Sequence, residues 1–195
     1  MKISHGKDFF VVCALAISLA VGVVPAAATP LEQWASTVIG FSSQYDLGDV
    51  GDWAAYQALG APNTVEYGDM ITAWAPSPMD DSLEYITLGY ATPVYATGAV
   101  IRETLGNGFV YQVDVLDLNN VLHNVWTGTD PSLQDAPADF AVSWPKTAYP
   151  VKGLKIYINT DHLLDVWEEI DAVKLIGYAT RTTTGNTPSN LLLLN

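Results

Sequence analysis

The chain has 195 residues and is acidic, with eight Lys and Arg residues against 21 Asp and Glu residues and a formal net charge of −13 at pH 7. A chain this acidic is repelled by nucleic acid and by anionic membrane surfaces, so neither is an expected partner. The length allows one domain with a sizeable core. The single cysteine, Cys13, excludes an internal disulfide.

The first 28 residues have the layout of a secretory signal peptide. Lys2 and Lys7 give a positively charged start, residues 9–24 form an uncharged apolar run, and residues 26–28 are three alanines suited to cleavage. The apolar run is shorter than the about 20 residues that cross a bilayer as a helix. We therefore predict cleavage after residue 28 and a secreted bacterial protein that does not insert into the membrane; an uncleaved anchor is the alternative.

Residues 31–78 show little periodicity and mix Trp, Tyr, Gly, Asp and Pro. This composition predicts strand fragments and ordered loops, with a single helical turn at residues 57–60. Residues 179–195 are rich in Thr, Asn and Leu and are predicted to form a flexible tail. One domain is therefore expected over residues 31–178.

From residue 83 onward, short β-rich runs are separated by turn residues. Gly106-Asn107-Gly108 predicts a tight hairpin, and Asn119-Asn120 predicts a second turn. The pattern leaves no helix long enough for a parallel crossover, so it favours an all-β antiparallel sandwich or barrel. The predicted core takes one face of these strands: Ile86, Leu88, Tyr111, Val113, Val115, Leu154, Ile156 and Ile158.

An ordered series of short motifs covers residues 34–177. The series comprises Phe41-Ser42-Ser43-Gln44-Tyr45, Ala58-Leu59-Gly60-Ala61-Pro62-Asn63, Tyr67-Gly68-Asp69, Ile101-Arg102-Glu103-Thr104 and Trp167-Glu168-Glu169-Ile170-Asp171-Ala172-Val173. It resembles a discoidin-like module of bacterial exported proteins, which has a divergent relative in the N-terminal part of an animal F-box and leucine-rich-repeat protein. This resemblance implies a galactose-binding-like jelly-roll sandwich and a binding role, without naming a ligand.

Aromatic and polar side chains in the irregular region are the candidate ligand contacts. Exposed tryptophans can stack on sugar rings, and Trp53 and Trp74 lie outside the strands, whereas Trp126 and Trp167 are predicted to be core residues of strands. Tyr67 and Asp69 come from the motif series. We predict a site for carbohydrate or another extracellular surface ligand, although the core is an alternative place for both Trp53 and Trp74.

Arg102 and Glu103 complete the predicted ligand site. Arg102 is one of only six basic residues that remain after residue 28, and it adjoins Glu103 at a predicted hairpin end. It can contact an anionic or hydroxylated ligand, or it can pair with a carboxylate in a structural role. The sequence leaves both roles open.

A structural calcium ion is predicted to tie the N-terminal loop to the last strand. Glu169 and Asp171 share one face of that strand with apolar residues, so burial is expected, and a buried carboxylate needs a partner. Asp46 and Asp52 lie in a loop that can furnish further oxygen ligands, which calcium prefers. The alternative is that backbone amides of residues 41–45 bind these carboxylates without an ion.

The sequence contains none of the motifs that would indicate an enzyme. It has no G-x-S-x-G, no H-E-x-x-H and no Gly-rich phosphate loop. Three interpretations follow: a non-catalytic binding module, which we favour; a structural matrix or surface-layer protein without a small ligand; and, last, a hydrolase that uses a carboxylate pair. The oligomeric state is left open.

Overall fold

The computed structural model describes residues 28–46, 48 and 51–179. The predicted signal peptide and tail therefore lie almost wholly outside the described residues. These residues form eight strands and one 3-10 helix: β1 (Leu31–Trp34), β2 (Thr37–Phe41), the 3-10 helix (Ala55–Ala58), β3 (Leu83–Leu105), β4 (Val110–Asp117), β5 (Leu122–Thr127), β6 (Ala138–Ser143), β7 (Val151–Asn159) and β8 (Glu169–Ala179). Ala179, which was predicted to be in the tail, belongs to the last strand.

Strand β3 is 23 residues long and belongs to both layers, because its two halves pair with different strands. Its first half pairs with β2 and β7, and its second half pairs with β6 and β8. The register of its pairing with β7 shifts between Gly89 and Val94, where the strand crosses from one layer to the other. The layers are β2-β3-β7-β4-β5 and β1-β8-β3-β6, and every pairing is antiparallel. The all-β jelly-roll prediction is confirmed.

The core between the layers contains seven of the eight predicted residues, each fully buried. Tyr111 is the exception, because a bulge between Val110 and Gln112 interrupts the alternation of β4. The bulge places the Tyr111 ring near Tyr157, with 6.1 Å between ring centroids, on the outer face of the layer. Bulges add one residue to a strand and reverse the faces beyond it, so strict alternation failed at this position.

The two predicted turns differ in outcome. Asn120 has a positive φ of 64°, and the turn that contains it joins the paired strands β4 and β5, as predicted. Gly106 and Gly108 also have positive φ, at 65° and 96°, but they link β3 to β4, and these two strands do not pair. The hairpin prediction for residues 106–108 is therefore wrong; the glycines carry the chain from one layer to the other.

Both ends of β3 lie at the same end of the sandwich. Leu83 pairs with Asn159, and the Asn159 amide donates to the Phe109 carbonyl just beyond the other end of β3, at 3.0 Å. The crossing in the middle of β3 therefore lies at the opposite end. Long segments lie beside the two ends of β3, and we call them together the loop end: residues 42–46, 48, 51–82, 106–109, 128–137 and 160–168.

Candidate functional site

Three aromatic side chains surround a cleft of about 240 Å³ at the loop end. The Tyr45 ring meets Trp53 and Trp167 edge to face, with centroid distances of 5.3 and 5.2 Å. Asp69 and Ala75 complete the lining. We call this feature the aromatic cleft.

Backbone hydrogen bonds hold the cleft residues in place. The Tyr45 amide donates to the Ala75 carbonyl at 3.0 Å, and the Ala75 amide donates to the Trp53 carbonyl at 3.2 Å. Trp53 has a φ of 53°, a conformation that costs energy for a large side chain and occurs in ordered sites. Trp74, next to Ala75, forms a bridge with Ile170 of β8 and so anchors the segment to the sheet.

Glu169 lies beneath the aromatic cleft, with its side chain fully buried. It accepts hydrogen bonds from Trp53 Nε1 at 3.2 Å, from the Met70 amide at 3.2 Å and from Thr104 Oγ1 at 3.3 Å. Burial raises the pKa of Glu169 to about 8, the Met70 amide opposes this, and the nearby Asp69 carboxylate adds to it. The floor of the cleft therefore carries a carboxyl group that titrates near neutral pH.

Asp171 is also buried, and the N-terminal loop supplies its donors. The amides of Asn63 and Thr64 and the Thr64 hydroxyl donate to its carboxylate at 3.0–3.3 Å. Burial raises the pKa of Asp171, and these donors oppose the shift. Backbone amides therefore donate to Asp171, as in the alternative prediction without an ion. These amides belong to residues 63–64, whereas the prediction named residues 41–45.

The predicted ligand residues are split by the fold. Trp53 and Asp69 line the aromatic cleft. Tyr67 is half-buried and donates its hydroxyl to Gln134. Arg102 forms an ion pair with Asp139 at 3.2 Å, which is the structural role left open by the sequence.

Trp74 and Glu103 are fully buried, so neither is available to a ligand on the surface. The Trp74 indole fills the core, and its Nε1 donates to the Ser43 carbonyl at 3.2 Å. Their place in the predicted ligand site is therefore wrong. The sequence could not distinguish a core tryptophan from a loop-end one, because Trp74 lies in an aperiodic segment that nevertheless docks on β8.

The predicted calcium ligands are not gathered into one cluster. Among residues 28–46, 48 and 51–179, no three His, Cys, Asp or Glu side chains converge so as to hold a metal ion. Asp46 accepts a hydrogen bond from the Gly48 amide at 3.2 Å, within its own loop. A calcium ion held by Asp46, Asp52, Glu169 and Asp171 stays a prediction.

Sequence reasoning missed two residues of the aromatic cleft. Trp167 was predicted to be a core residue of a strand, but it precedes β8 in the loop and is half-buried. Tyr45 is exposed, and the only sequence signal for it was its place in the first quoted motif. The cleft joins positions 45, 53, 69 and 167, and no local spacing rule relates positions so distant in sequence.

The family model of the pappalysin-1 SD scarf domain, C-terminal, matches residues 25–185. The chain belongs to this family. A comparison with curated proteins finds no match. Over the described residues, this SD scarf domain contains no helix long and apolar enough to cross a membrane.

Solved structures support the fold of this SD scarf domain. A chain in the complex of reduced XRCC1 with the DNA polymerase β catalytic domain matches with a TM-score of 0.55 and 15% identity, over 74% of this chain and 98% of that one. The family 32 carbohydrate-binding module of Clostridium perfringens NanJ, in complex with galactose, matches with a TM-score of 0.52 and 15% identity, over 75% of this chain and 99% of that one.

A second Clostridium perfringens module, in complex with GalNAc-β-1,3-galactose, gives a TM-score of 0.51 and 14% identity, over 76% of this chain and 94% of that one. At these identities the likeness establishes the architecture. The discoidin-like, galactose-binding-like fold that the motif series implied is therefore confirmed.

Proposed function

We propose that the protein is an exported, non-catalytic module that binds carbohydrate in the aromatic cleft. The observation that carries the proposal is the meeting of Tyr45, Trp53 and Trp167 around one opening with the Asp69 carboxylate in its lining. Binding sites of this kind combine apolar walls with a few placed polar groups.

The side chains suit a pyranose ring. Aromatic rings offer a large apolar face for the C–H face of a sugar at low entropic cost. A carboxylate such as Asp69 accepts hydrogen bonds from sugar hydroxyls, and charge-assisted bonds of this type are stronger than neutral ones. The cleft is small and lined by five residues, so it suits contact with a single sugar unit rather than enclosure of a long chain.

Charge around the cleft selects among sugars. Asp69 lines the opening and supplies its negative charge, whereas Glu169 beneath it, with a pKa of about 8, is mainly protonated at neutral pH. No basic side chain of the described residues lines the cleft. Uronic and sialic acids would therefore meet repulsion, and a neutral sugar is the expected ligand.

The carboxylate geometry favours binding over hydrolysis. Glycosidases separate their two carboxyl groups by about 5–5.5 Å or by about 6.5–9.5 Å, leaving room for the scissile bond. Asp69 and Glu169 are within hydrogen-bonding reach of one another, which leaves no such room. A purely structural role, the other alternative, offers no reason for an aromatic opening.

A glycan array probed with the purified protein tests the proposal. Retention of neutral glycans, reduced on the order of tenfold or more by Tyr45→Ala and kept by Tyr45→Phe, is the expected result, because only alanine removes the stacking ring. Tyr56→Ala is the matched control, since Tyr56 is equally exposed but lies outside the cleft. Absence of glycan binding by the wild type would favour the structural alternative.

Export is tested separately. The charged start, the apolar run of residues 9–24 and the three alanines at 26–28 support a cleaved signal. N-terminal sequencing of protein collected outside the cell should begin near residue 29. A secreted form that still begins at Met1 would contradict cleavage.

A further inference from the structure

A second pair of buried carboxylates lies at the loop end, away from the aromatic cleft. Glu103 is near the end of β3, and the turn after it brings the Gly108 amide to Glu103 Oε2 at 2.9 Å. Asp130 follows β5, and its Oδ1 accepts from the Ser132 amide at 2.9 Å. Each carboxylate thus has one oxygen held by the backbone.

The remaining oxygens have no donor. Glu103 Oε1 and Asp130 Oδ2 are buried and make no hydrogen bond within the part of the chain that the structure describes. Glu103 is 0% exposed and Asp130 is 4% exposed, and the two groups are within hydrogen-bonding reach of one another. Two facing carboxylates out of water need a proton or a cation between them.

A third oxygen acceptor without a partner comes from the same turn. Asn107 is fully buried, and its Nδ2 donates to the carbonyls of Leu133 and Ala136 at 2.8 Å each. Its Oδ1 has no donor among the described residues. The turn and the loop that face each other therefore leave oxygen acceptors unsatisfied on three side chains.

Basic side chains near the pair do not neutralise it. The Arg102 guanidinium is paired with Asp139 at 3.2 Å. His162 lies against Gly108 and lines the neighbouring opening, and over the described residues it forms no ion pair with either carboxylate. Burial, and next the Asp130 carboxyl group, raise the pKa of Glu103 to about 10, although the Gly108 amide and the Ser132 hydroxyl oppose the shift.

One member of the pair borders an opening to solvent. Asp130 lines this opening together with Tyr111, Asn159 and His162, whereas Glu103 and Asn107 lie behind it, so an ion enters from the Asp130 side with water ligands. Only two carboxylates are present, which agrees with the absence of any cluster of three acidic or other metal-ligating side chains over the described residues. Carboxylate, amide and water oxygens form a donor set for a hard cation, and zinc would call for nitrogen or sulfur.

We propose that Glu103 Oε1, Asp130 Oδ2 and Asn107 Oδ1 bind a calcium ion that joins the turn after β3 to the loop after β5. Calcium accepts six to eight oxygens in flexible geometry, so water from the opening completes its shell, whereas magnesium demands a near-ideal octahedron. The ion replaces the proton that the two carboxyl groups otherwise share. This site is separate from Glu169 and Asp171, whose oxygens already have donors.

Calcium titration of the full purified protein tests the site, with thermal unfolding and calorimetry as readouts. Calcium should raise the unfolding midpoint of the wild type above its value in EDTA, because a ligand bound only by the folded state stabilises it. Asp130→Asn keeps the fold, since its amide can donate to Glu103 Oε1, but it should weaken calcium binding on the order of tenfold or more.

Two further variants serve as controls. Asp139→Asn removes an exposed carboxylate and should leave the calcium response unchanged. Glu169→Gln reports on the other predicted calcium set and should also leave the response unchanged. No calcium response in the wild type, a response that persists in Asp130→Asn, or one lost only in Glu169→Gln would each overturn the proposal.

Discussion

Buried carboxylates on the two sides of the loop end meet different surroundings. On β8, Glu169 and Asp171 accept hydrogen bonds from the amides of Asn63, Thr64 and Met70. Across the end of the sandwich, Glu103 and Asp130 each keep one oxygen that no donor reaches among the described residues. All four are acidic and buried, so burial alone does not distinguish them.

The difference lies in which loop faces each pair. The N-terminal segment that docks on β8 presents free backbone amides, and carboxylates satisfy such amides with strong charge-assisted bonds. The loop of residues 128–137 presents two carbonyls to Asn107 Nδ2, and it presents a second carboxylate and the Ser132 hydroxyl to Glu103. The first pair thus fastens a loop by itself, and the second pair requires a proton or a cation.

Asp171→Ala should give the largest loss of stability. It would leave the buried Thr64 amide without an acceptor, at a cost of about 1–3 kcal/mol, and it would also remove the acceptor of the more exposed Asn63 amide. We expect the free energy of unfolding in urea to fall by about 3 kcal/mol or more. Asp171→Asn keeps an acceptor oxygen and should lose less.

Asp52→Ala is the control for that measurement. Asp52 is exposed in the same N-terminal region, and exposed substitutions usually change stability by less than about 0.5 kcal/mol. Equal losses for Asp171→Ala and Asp52→Ala would show that the amide–carboxylate bonds do not fasten the loop.

A third buried carboxyl group, Glu168, should make the free energy of unfolding depend on pH. Its side chain is fully buried, neither oxygen has a donor over the described residues, and burial raises its pKa from 4.5 to about 9. Between these two pH values the folded state retains a proton that the unfolded state releases. The free energy of unfolding therefore falls as pH rises from 4.5 to about 9, by at most about 1.4 kcal/mol per pH unit from this group.

Glu168→Gln removes this titration, so it should flatten the dependence of stability on pH. Unfolding in urea at several pH values in calcium-free buffer measures the slope. Glu66→Gln makes the same substitution at an exposed position and should leave the slope close to that of the wild type. Parallel slopes for the wild type and Glu168→Gln would contradict the assigned proton.

The sequence predicted the sandwich because alternation and turn residues are local signals. Ile86, Leu88, Leu154 and Ile156 alternate with polar neighbours and are buried as expected. Alternation cannot locate a bulge, which placed Tyr111 outside the core. Alternation of apolar residues also divides β3 into two separate strands, because the alternation stops where the pairing register shifts between Gly89 and Val94.

The loop end was predictable in part. The irregular composition of residues 31–78 indicated ordered loops, and Trp53 and Asp69, which were taken from it as candidate ligand contacts, line the aromatic cleft. Trp74, from the same composition, is in the core. The two tryptophans differ because the segment that contains Trp74 packs on β8. This contact is distant in sequence, so no local periodicity predicts it.

Glu103→Gln should raise the free energy of unfolding, whereas Asp171→Ala should lower it. The amide oxygen of glutamine can still accept from the Gly108 amide, and its NH₂ group can donate to Asp130 Oδ2 in place of the proton that the two carboxyl groups share. In calcium-free buffer at neutral pH the variant folds without taking up that proton, so we expect stabilisation by about 1 kcal/mol or more. A loss comparable to that of Asp171→Asn would mean that Glu103 and Asp130 are already satisfied.

The smallest effect is expected at an exposed ion pair. Glu32 of β1 accepts from Lys174 of β8 at 3.0 Å, and the Glu32 side chain is 57% exposed. Water solvates such a charge with or without its partner, so Glu32→Gln should cost no more than about 0.5 kcal/mol in urea unfolding. Lys174 also lies over the Trp34 ring, 4.7 Å from its centroid, and that contact survives the substitution. If Glu32→Gln and Asp171→Ala lower the free energy of unfolding equally, then loss of a negative charge would explain both effects. The hydrogen-bond donors of the buried carboxylates would then not explain the difference between the two buried pairs.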